Sequence, residues 1–226
     1  MAFNPANPLC TLEHVKQALR TTDDGDDDQL NECIDVASRE VENYTGRRFY
    51  QDTVVSARLF KADTPFLCQL DDFMTITGLI VQSDPNGDGS FPNTWTNPTL
   101  NGDGSLSGGD FQLEPLNGLI SGQPWPYERF RPIRSFLDPI YGGLAYPIPF
   151  VVAQIKITAK WGWNYIPTPI RRAALYQTIQ NFKSSDAPFG ATTPFAETGV
   201  LRLKPNLHPR AEALLQDYSR VQALVA

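Results

Sequence analysis

The chain reads as an α+β protein in which helical segments at both ends enclose a β-rich middle. Three stretches predict this. Residues 28–44 place Leu30, Cys33, Ile34, Ala37, Val41 and Tyr44 at intervals of three and four, the period of an amphipathic helix. Residues 151–160 alternate instead, with Val151, Ala153, Ile155, Ile157 and Ala159 set against Val152, Gln154, Lys156, Thr158 and Lys160, the period of a half-buried strand. Directly after it, Trp161-Gly162-Trp163 permits a bend and Thr168-Pro169 opens a helix. A hydroxyl caps free amides there, and proline at the first helical position has no amide hydrogen to lose. The stretch from Ala159 to Leu175 is thus a passage from sheet to helix, with Trp161 and Trp163 expected to fix the angle between the two.

Composition narrows the possible classes. The 226 residues, 41% of them hydrophobic, suffice for one large domain or two small ones with a true core. A formal charge of -6 does not point to tight binding to nucleic acid or to an anionic membrane surface, and it leaves room for a local basic patch. Cys10, Cys33 and Cys68 are odd in number and form no CxxC pair, so free buried thiols in a reducing compartment are expected. No run of about eighteen apolar residues occurs, and the first ten residues lack a basic start and an apolar core, so neither a membrane span nor a signal peptide is expected.

In chain order, Thr11 caps a short helix over 12–20 that carries Leu12, Val15 and Leu19 on one face. Asp23, Asp24, Asp26, Asp27 and Asp28 come next. They read as an exposed turn whose carboxylates sit at the positive end of the next helix; consecutive aspartates make a poor cation cage. The helix over 28–44 ends at Gly46, and Arg47-Arg48 set positive charge at its negative end. Strands are expected over 53–61, 66–70, 74–82, 110–113, 127–136 and 150–161, separated by proline and glycine clusters. Asp84 to Ser90 matches the first half of a calcium loop but carries Trp95 where the bidentate glutamate belongs, leaving calcium binding open. Asn101 to Gly109 reads as a flexible loop. The aromatic groups Trp125-Pro126-Tyr127 and Trp161 to Tyr165 suit core anchors better than a stacking platform. Residues 138–149 read as an irregular loop. A third helix over 169–183 carries Ala173 and Ala174, small enough to admit a neighbouring helix, and a stripe of Leu175, Ile179 and Phe182. A long connection over 184–205 leads to a fourth helix opened by Pro209, with Ala211, Leu214, Leu215, Tyr218 and Val221 on one face.

Catalytic chemistry finds no footing in these residues. His14 and His208, the two histidines, read as solvent-facing helix residues, and no nucleophile elbow, HExxH or spaced Cys/His set occurs. Asp71 and Asp72 are adjacent on a strand and point to opposite sides, so they do not form an acid/base pair. No catalytic residue, metal ligand or cofactor is therefore expected. The domain organisation expected is a split bundle of about four helices, residues 1–49 with 162–226, and an inserted β-rich domain, residues 50–161.

The residues also resemble a known family. The helix Leu12-Glu13-His14-Val15-Lys16, the Asp-rich turn, and the run from Leu30 to Tyr44-Thr45-Gly46-Arg47 are similar in order to the head-to-tail adaptor proteins of tailed bacteriophages, also called head-tail connector or head-completion proteins. Trp161-Gly162-Trp163, Ile166-Pro167 and Ile170 to Ala174 resemble that family's strand-to-helix passage, and Asp217-Tyr218-Ser219-Arg220 resembles its ending, although proline more often precedes the tyrosine. The segments Leu70-Asp71-Asp72 and Phe111 to Pro115 resemble versions with a β insertion. The resemblance implies a structural virion protein without enzymatic activity: a dodecameric ring below the portal, assembled in the host bacterial cytoplasm and placed in the neck. It extends the DNA channel and meets the portal protein and the next neck or tail-completion protein. Duplex DNA would pass without sequence-specific binding along a wall that is not basic. In such a ring Tyr218, Arg220, Val221 and Leu224 are expected to contact the portal, and residues 184–205 to reach the next ring or a neighbouring subunit. Two other classes stand beside this reading: a carbohydrate- or calcium-binding β module, and a hydrolase with an unfamiliar carboxylate site.

Overall fold

A computed structural model describes residues 4–64, 66–84, 87–103, 105–133, 155–185 and 207–220. The chain forms two compact units, one from residues 1–49 with 165–226 and the other from residues 50–164. All the α-helices among the described residues belong to the first unit and all the strands to the second, an α+β arrangement.

Helix α1 spans Leu12–Leu19, and the Thr11 hydroxyl accepts the His14 amide as the hydroxyl cap predicts. Its last turn closes through Arg20 in the left-handed region, φ 58°, a place more often taken by glycine. The Asp-rich turn after it is exposed and held from one side, since the Lys16 ammonium reaches both Asp24 and Asp27. Helix α2, Asp27–Thr45, buries Leu30, Ile34, Ala37 and Val41. Cys33 and Tyr44 lie three turns apart on one margin of that stripe, so the first is half-buried and the second exposed. Thr45 rather than Tyr44 completes the stripe, its hydroxyl donating to the Val41 carbonyl at 2.9 Å. Gly46 then caps the helix at φ 65°, its amide donating to the Glu42 carbonyl.

Helix α3, Thr168–Ser185, begins one residue earlier than the expected cap: Thr168 is its first residue and Pro169 its second, and the Pro167 carbonyl accepts the Arg171 amide. Its buried face is Ile170, Ala173, Ala174, Gln177 and Thr178, whereas Leu175, Ile179 and Phe182 lie on the other side of the helix and are half-buried. The reason is size. Two alanines side by side let α2 pack against this side of α3, and the larger side chains are left to the other side. Helix α4, Pro209–Leu215, packs on α3 through Ala211 and Leu215 and runs into a 3-10 turn, Gln216–Tyr218.

The second unit holds two antiparallel sheets. One has the order β1-β11-β3-β4, from Ser56–Phe60, Ile155–Ala159, Ile80–Ser83 and Asn93–Trp95; the other has the order β2-β10-β7, from Cys68–Phe73, Tyr127–Pro132 and Phe111–Glu114. Both sheets feed one core: Val81, Ile155 and Ile157 from the first, Phe73, Phe111 and Phe130 from the second. Trp95 meets Phe130 edge-on, ring centres 5.5 Å apart. In β11 the buried residues are Ile155, Ile157 and Ala159, with Lys156 and Thr158 between them, the alternation read from the sequence.

Several β segments are shorter than expected. The run 74–82 is a strand only from Ile80, because Thr77-Gly78 makes a turn, with Gly78 at φ 78° and the Leu79 amide on the Ile76 carbonyl. Residues 101–109 include one strand of a hairpin rather than a structureless loop, β5 (Thr99–Leu100) pairing with β6 (Leu106–Ser107). Short polar side chains close it: Asp103 accepts the Ser105 amide and hydroxyl, and the Asn101 amide group reaches the Ser105 and Ser107 hydroxyls. A second small hairpin, β8 (Leu119–Ile120) with β9 (Gln123–Pro124), comes after β7. Two-residue strands carry no periodicity, which is why neither hairpin shows in the sequence pattern. The predicted loop 138–149 and nearly all of the 184–205 connection lie outside the described residues.

Candidate functional site

The Trp161-Gly162-Trp163 passage is tightly built. Both indoles are fully buried. Trp161 packs between Phe60 and Phe73, ring centres 5.5 and 5.7 Å away, and its Nε1 donates to the Ser56 carbonyl at 2.8 Å. The Arg58 guanidinium lies 4.6 Å from the centre of the Trp161 ring and bridges Asp52 and Asp71. Trp163 meets Trp125 edge-on at 5.2 Å, and its Nε1 donates to Asp72 Oδ2 at 2.9 Å. Between them Gly162 sits at φ 94°, where a Cβ would come within 1.9 Å of the Tyr50 carbonyl oxygen. Its amide donates to the Asp72 carbonyl, and the Asp52 amide donates to the Trp161 carbonyl. The bend therefore joins the chain entering β1 to the end of β2; Trp161 belongs to the core of the β unit, and Trp163 is buried beside it against Trp125 and Asp72.

Asp71 and Asp72 do point to opposite sides of β2: Asp71 is paired with Arg58, and Asp72 is buried against Trp163. The Asp84 carboxylate is also buried, accepting the Gly87 and Gly89 amides at 2.7 Å each, so this half of the calcium-like loop uses its first oxygen ligand to fold its own backbone. No group of three or more His, Cys, Asp or Glu side chains with metal-site spacing occurs among the described residues. Trp125 and Tyr127 pack onto Trp163 and Phe73. Cys10 and Cys68 are buried free thiols, and burial pushes both up from the usual thiol range.

In the helical unit the turn after α4 is tied down. Tyr218 packs edge-on against Phe49, and its carbonyl accepts Arg47 Nε at 2.8 Å. Arg47 is buried, so its part is to hold the 3-10 turn rather than to sit at the helix end as a solvated charge. The Arg220 amide donates to the Thr45 carbonyl at 2.9 Å. Val221 and Leu224 lie outside the described residues. His208 is a capping residue, its Nδ1 accepting the Arg210 amide while its ring stacks on Tyr176. His14 Nδ1 lies 2.8 Å from the Thr11 hydroxyl. Gln177, buried on α3, accepts the His208 amide and donates to Asn181, which in turn donates to Glu40. A histidine directly before proline was the available signal for the cap; nothing local marks Gln177.

Charge is divided within this unit. Residues 1–49 hold ten carboxylate and five basic side chains, and residues 165–226 hold four and seven. Glu32, exposed, and Asp35, half-buried, stand on α2 opposite its buried stripe, beside the half-exposed Val36; Arg171, Arg172 and Lys183 are exposed on α3. Reading charge by segment rather than over the chain would have found the division.

Residues 10–66, from just before α1 to the approach of β2, match the family model described as phage gp6-like head-tail connector protein. A chain of the solved structure titled "Neck of empty GTA particle computed with C6 symmetry" shares the fold, with a TM-score of 0.51 at 14% identity over 98% of this chain and 95% of that one. No curated protein matches the chain. Of the segments that carry the resemblance read from the sequence, Leu12 to Lys16 and Leu30 to Arg47 fall within the matched residues and Trp161 to Ala174 and Asp217 to Arg220 fall outside them, so this chain is similar in its first two helices to the phage head-tail connector family.

Proposed function

We propose that the chain is a structural neck protein, a head-to-tail adaptor that forms a ring below the portal, extends the DNA channel and links head to tail. The observation that carries this reading is the connector match over residues 10–66, and the fold shared with a chain from a particle neck supports it across nearly the whole length. In this reading residues 1–49 and 162–226 form the ring body as a split helical bundle, and residues 50–161 are an inserted β domain. The ring is a dodecamer, a copy number that obeys the C6 symmetry named for the neighbour's particle. Duplex DNA passes without sequence-specific contacts, which the net charge of -6 favours. The protein acts in the virion neck after assembly in the host cytoplasm, between the portal and the next neck or tail-completion protein, and no catalysis is assigned to it.

The chain end is the portal contact: Tyr218, Arg220, Val221 and Leu224. Support comes from the bonds of Arg47 to the Tyr218 carbonyl and of the Arg220 amide to the Thr45 carbonyl, which hold the backbone of residues 218–220 in place. Truncation after Gln216 is expected to leave heads that package DNA and then lose it. Because Tyr218 packs on Phe49, the double substitution Val221→Asp with Leu224→Asp serves as the milder version with the same expected outcome. Normal virion yield from that folded double variant would remove the chain end from the portal contact, and neck images unchanged in particles lacking the protein would remove the adaptor reading itself.

A further inference from the structure

We infer that the outward face of α2 is the surface that receives the outward face of α3 from a second copy of this chain. The inference rests on the ring reading above and names its subunit contact. On α2, Glu32 lies between Asp35 and the half-exposed Val36 around the helix, on the side away from the buried Leu30, Ile34 and Val41, and Arg39 on that side is drawn off to Glu42. On α3, Arg172 and Lys183 stand at the two ends of a row that holds the half-buried Ile179, with the half-buried Leu175 at its margin, on the side away from Ala173, Ala174 and Thr178. The spacing from Arg172 to Lys183 is eleven residues, three helical turns, so both charges and the apolar row share one face.

Within the unit, α2 and α3 pack through the opposite sides of these same helices. The acidic face and the basic face therefore look away from each other and cannot neutralise one another in one subunit. Among the described residues no ion pair engages Glu32, Asp35, Arg172 or Lys183. Two different, complementary faces on one chain make a head-to-tail contact, which either closes into a ring or runs on as a filament. A self-complementary twofold contact is disfavoured, because it would set acid on acid and base on base. DNA is a poor occupant for the basic face: two cations in a row, with the acidic helix in the same body, neutralise too few phosphates to hold a duplex.

The test uses the full-length chain, with portal-bearing heads supplied where the wild type alone stays monomeric, and reads assembly by sedimentation and particle imaging. One variant carries Glu32→Lys with Asp35→Lys, a second carries Arg172→Glu with Lys183→Glu, and circular dichroism checks that each is folded. Each variant alone is expected to need at least about tenfold more protein to form rings. An equimolar mixture of the two is expected to assemble again, because each reversed face then finds its complement on the other variant. Rescue by mixing cannot come from misfolded protein. Rings that form as readily from either variant, or two folded variants that fail alone and also fail when mixed, would overturn this contact while leaving the ring reading intact. A wild type that makes no ring even on heads would overturn both.

Discussion

The helical unit and the β unit bury different chemistry. Where α2, α3 and α4 meet, Leu30, Ile34, Val41, Ile170 and Leu215 share the interior with many small or polar side chains, Ala37, Ser38, Thr45, Ala173, Ala174, Gln177, Thr178 and Ala211, with the charged Glu42 and Arg47 also buried. The β unit buries Phe73, Phe111, Phe130, Trp161 and Trp163 completely. Small residues let helices approach, but each buried polar group then needs a partner, as Gln177 has in His208 and Thr178 in the Ala174 carbonyl. Aromatic rings fill volume instead, and their loss leaves cavities. The first unit should therefore respond to ionisation and hydrogen bonding, and the second to volume. The molecule supplies its own reporters, since all four tryptophans, Trp95, Trp125, Trp161 and Trp163, lie within 50–164 and the helices lie outside it. Indole fluorescence follows the β unit, and far-ultraviolet circular dichroism is dominated by the helices.

Gly162→Ala is the strongest way to break the distinction. The new methyl group would stand 1.9 Å from the Tyr50 carbonyl oxygen, at a φ of 94° that a side chain rarely adopts. Backbone meets backbone there, so no flexible side chain can move aside. The expected loss is roughly 4 kcal/mol or more, seen as a fall in the urea midpoint of indole fluorescence. The circular dichroism transition should move far less. Equal shifts of both signals would erase the contrast between the units.

Next in size are Trp161→Ala and Trp163→Ala, expected to cost about 3 kcal/mol each in the same fluorescence assay. Trp163→Phe separates volume from hydrogen bonding, because it keeps an aromatic ring beside Trp125 and removes the donor from Asp72; about 1–2 kcal/mol is expected from it. If both alanine variants melted like the wild type, the passage would be a loose tether and not part of a core.

These residues also show how far a sequence can be read. The helices were legible because α2 repeats its apolar residues over five turns, and Thr11, Gly46 and Pro209 mark ends by chemistry that is local. Strand β11 was legible through its alternation. The buried face of α3 was misread towards Leu175, Ile179 and Phe182, because periodicity ranks residues by hydrophobicity, whereas the close approach to α2 selects them by size. The same limit hid Arg47, whose burial depends on Tyr218, 171 positions away. Asp72 as the partner of Trp163 was hidden likewise, across 91 positions. Assembly surfaces are harder still. A face such as Glu32 with Asp35 looks like any solvated helix side until the fold shows which charges it does not meet.

The smallest effect expected is also the one specific to the helical unit. Glu42 is buried at the end of α2, and burial raises its carboxyl above the ordinary glutamate range, with the Arg39 guanidinium at 2.7 Å opposing that shift. A raised value means that the folded chain holds this proton more tightly than the unfolded chain does. This contribution to stability therefore rises as pH falls from the folded value of Glu42 to the ordinary glutamate value, and is constant on either side of that window. Asp24 is shifted the other way by Lys16, so its own loss of stability falls in a lower window, below the ordinary aspartate value. Glu42→Gln keeps the shape and removes the proton. The stability of the wild type relative to this variant, followed by circular dichroism, should increase on mild acidification and then level off. A difference that stays flat with pH would show that Arg39 fully offsets the burial, and the helical unit would lose the ionisation sensitivity that sets it apart from the aromatic one.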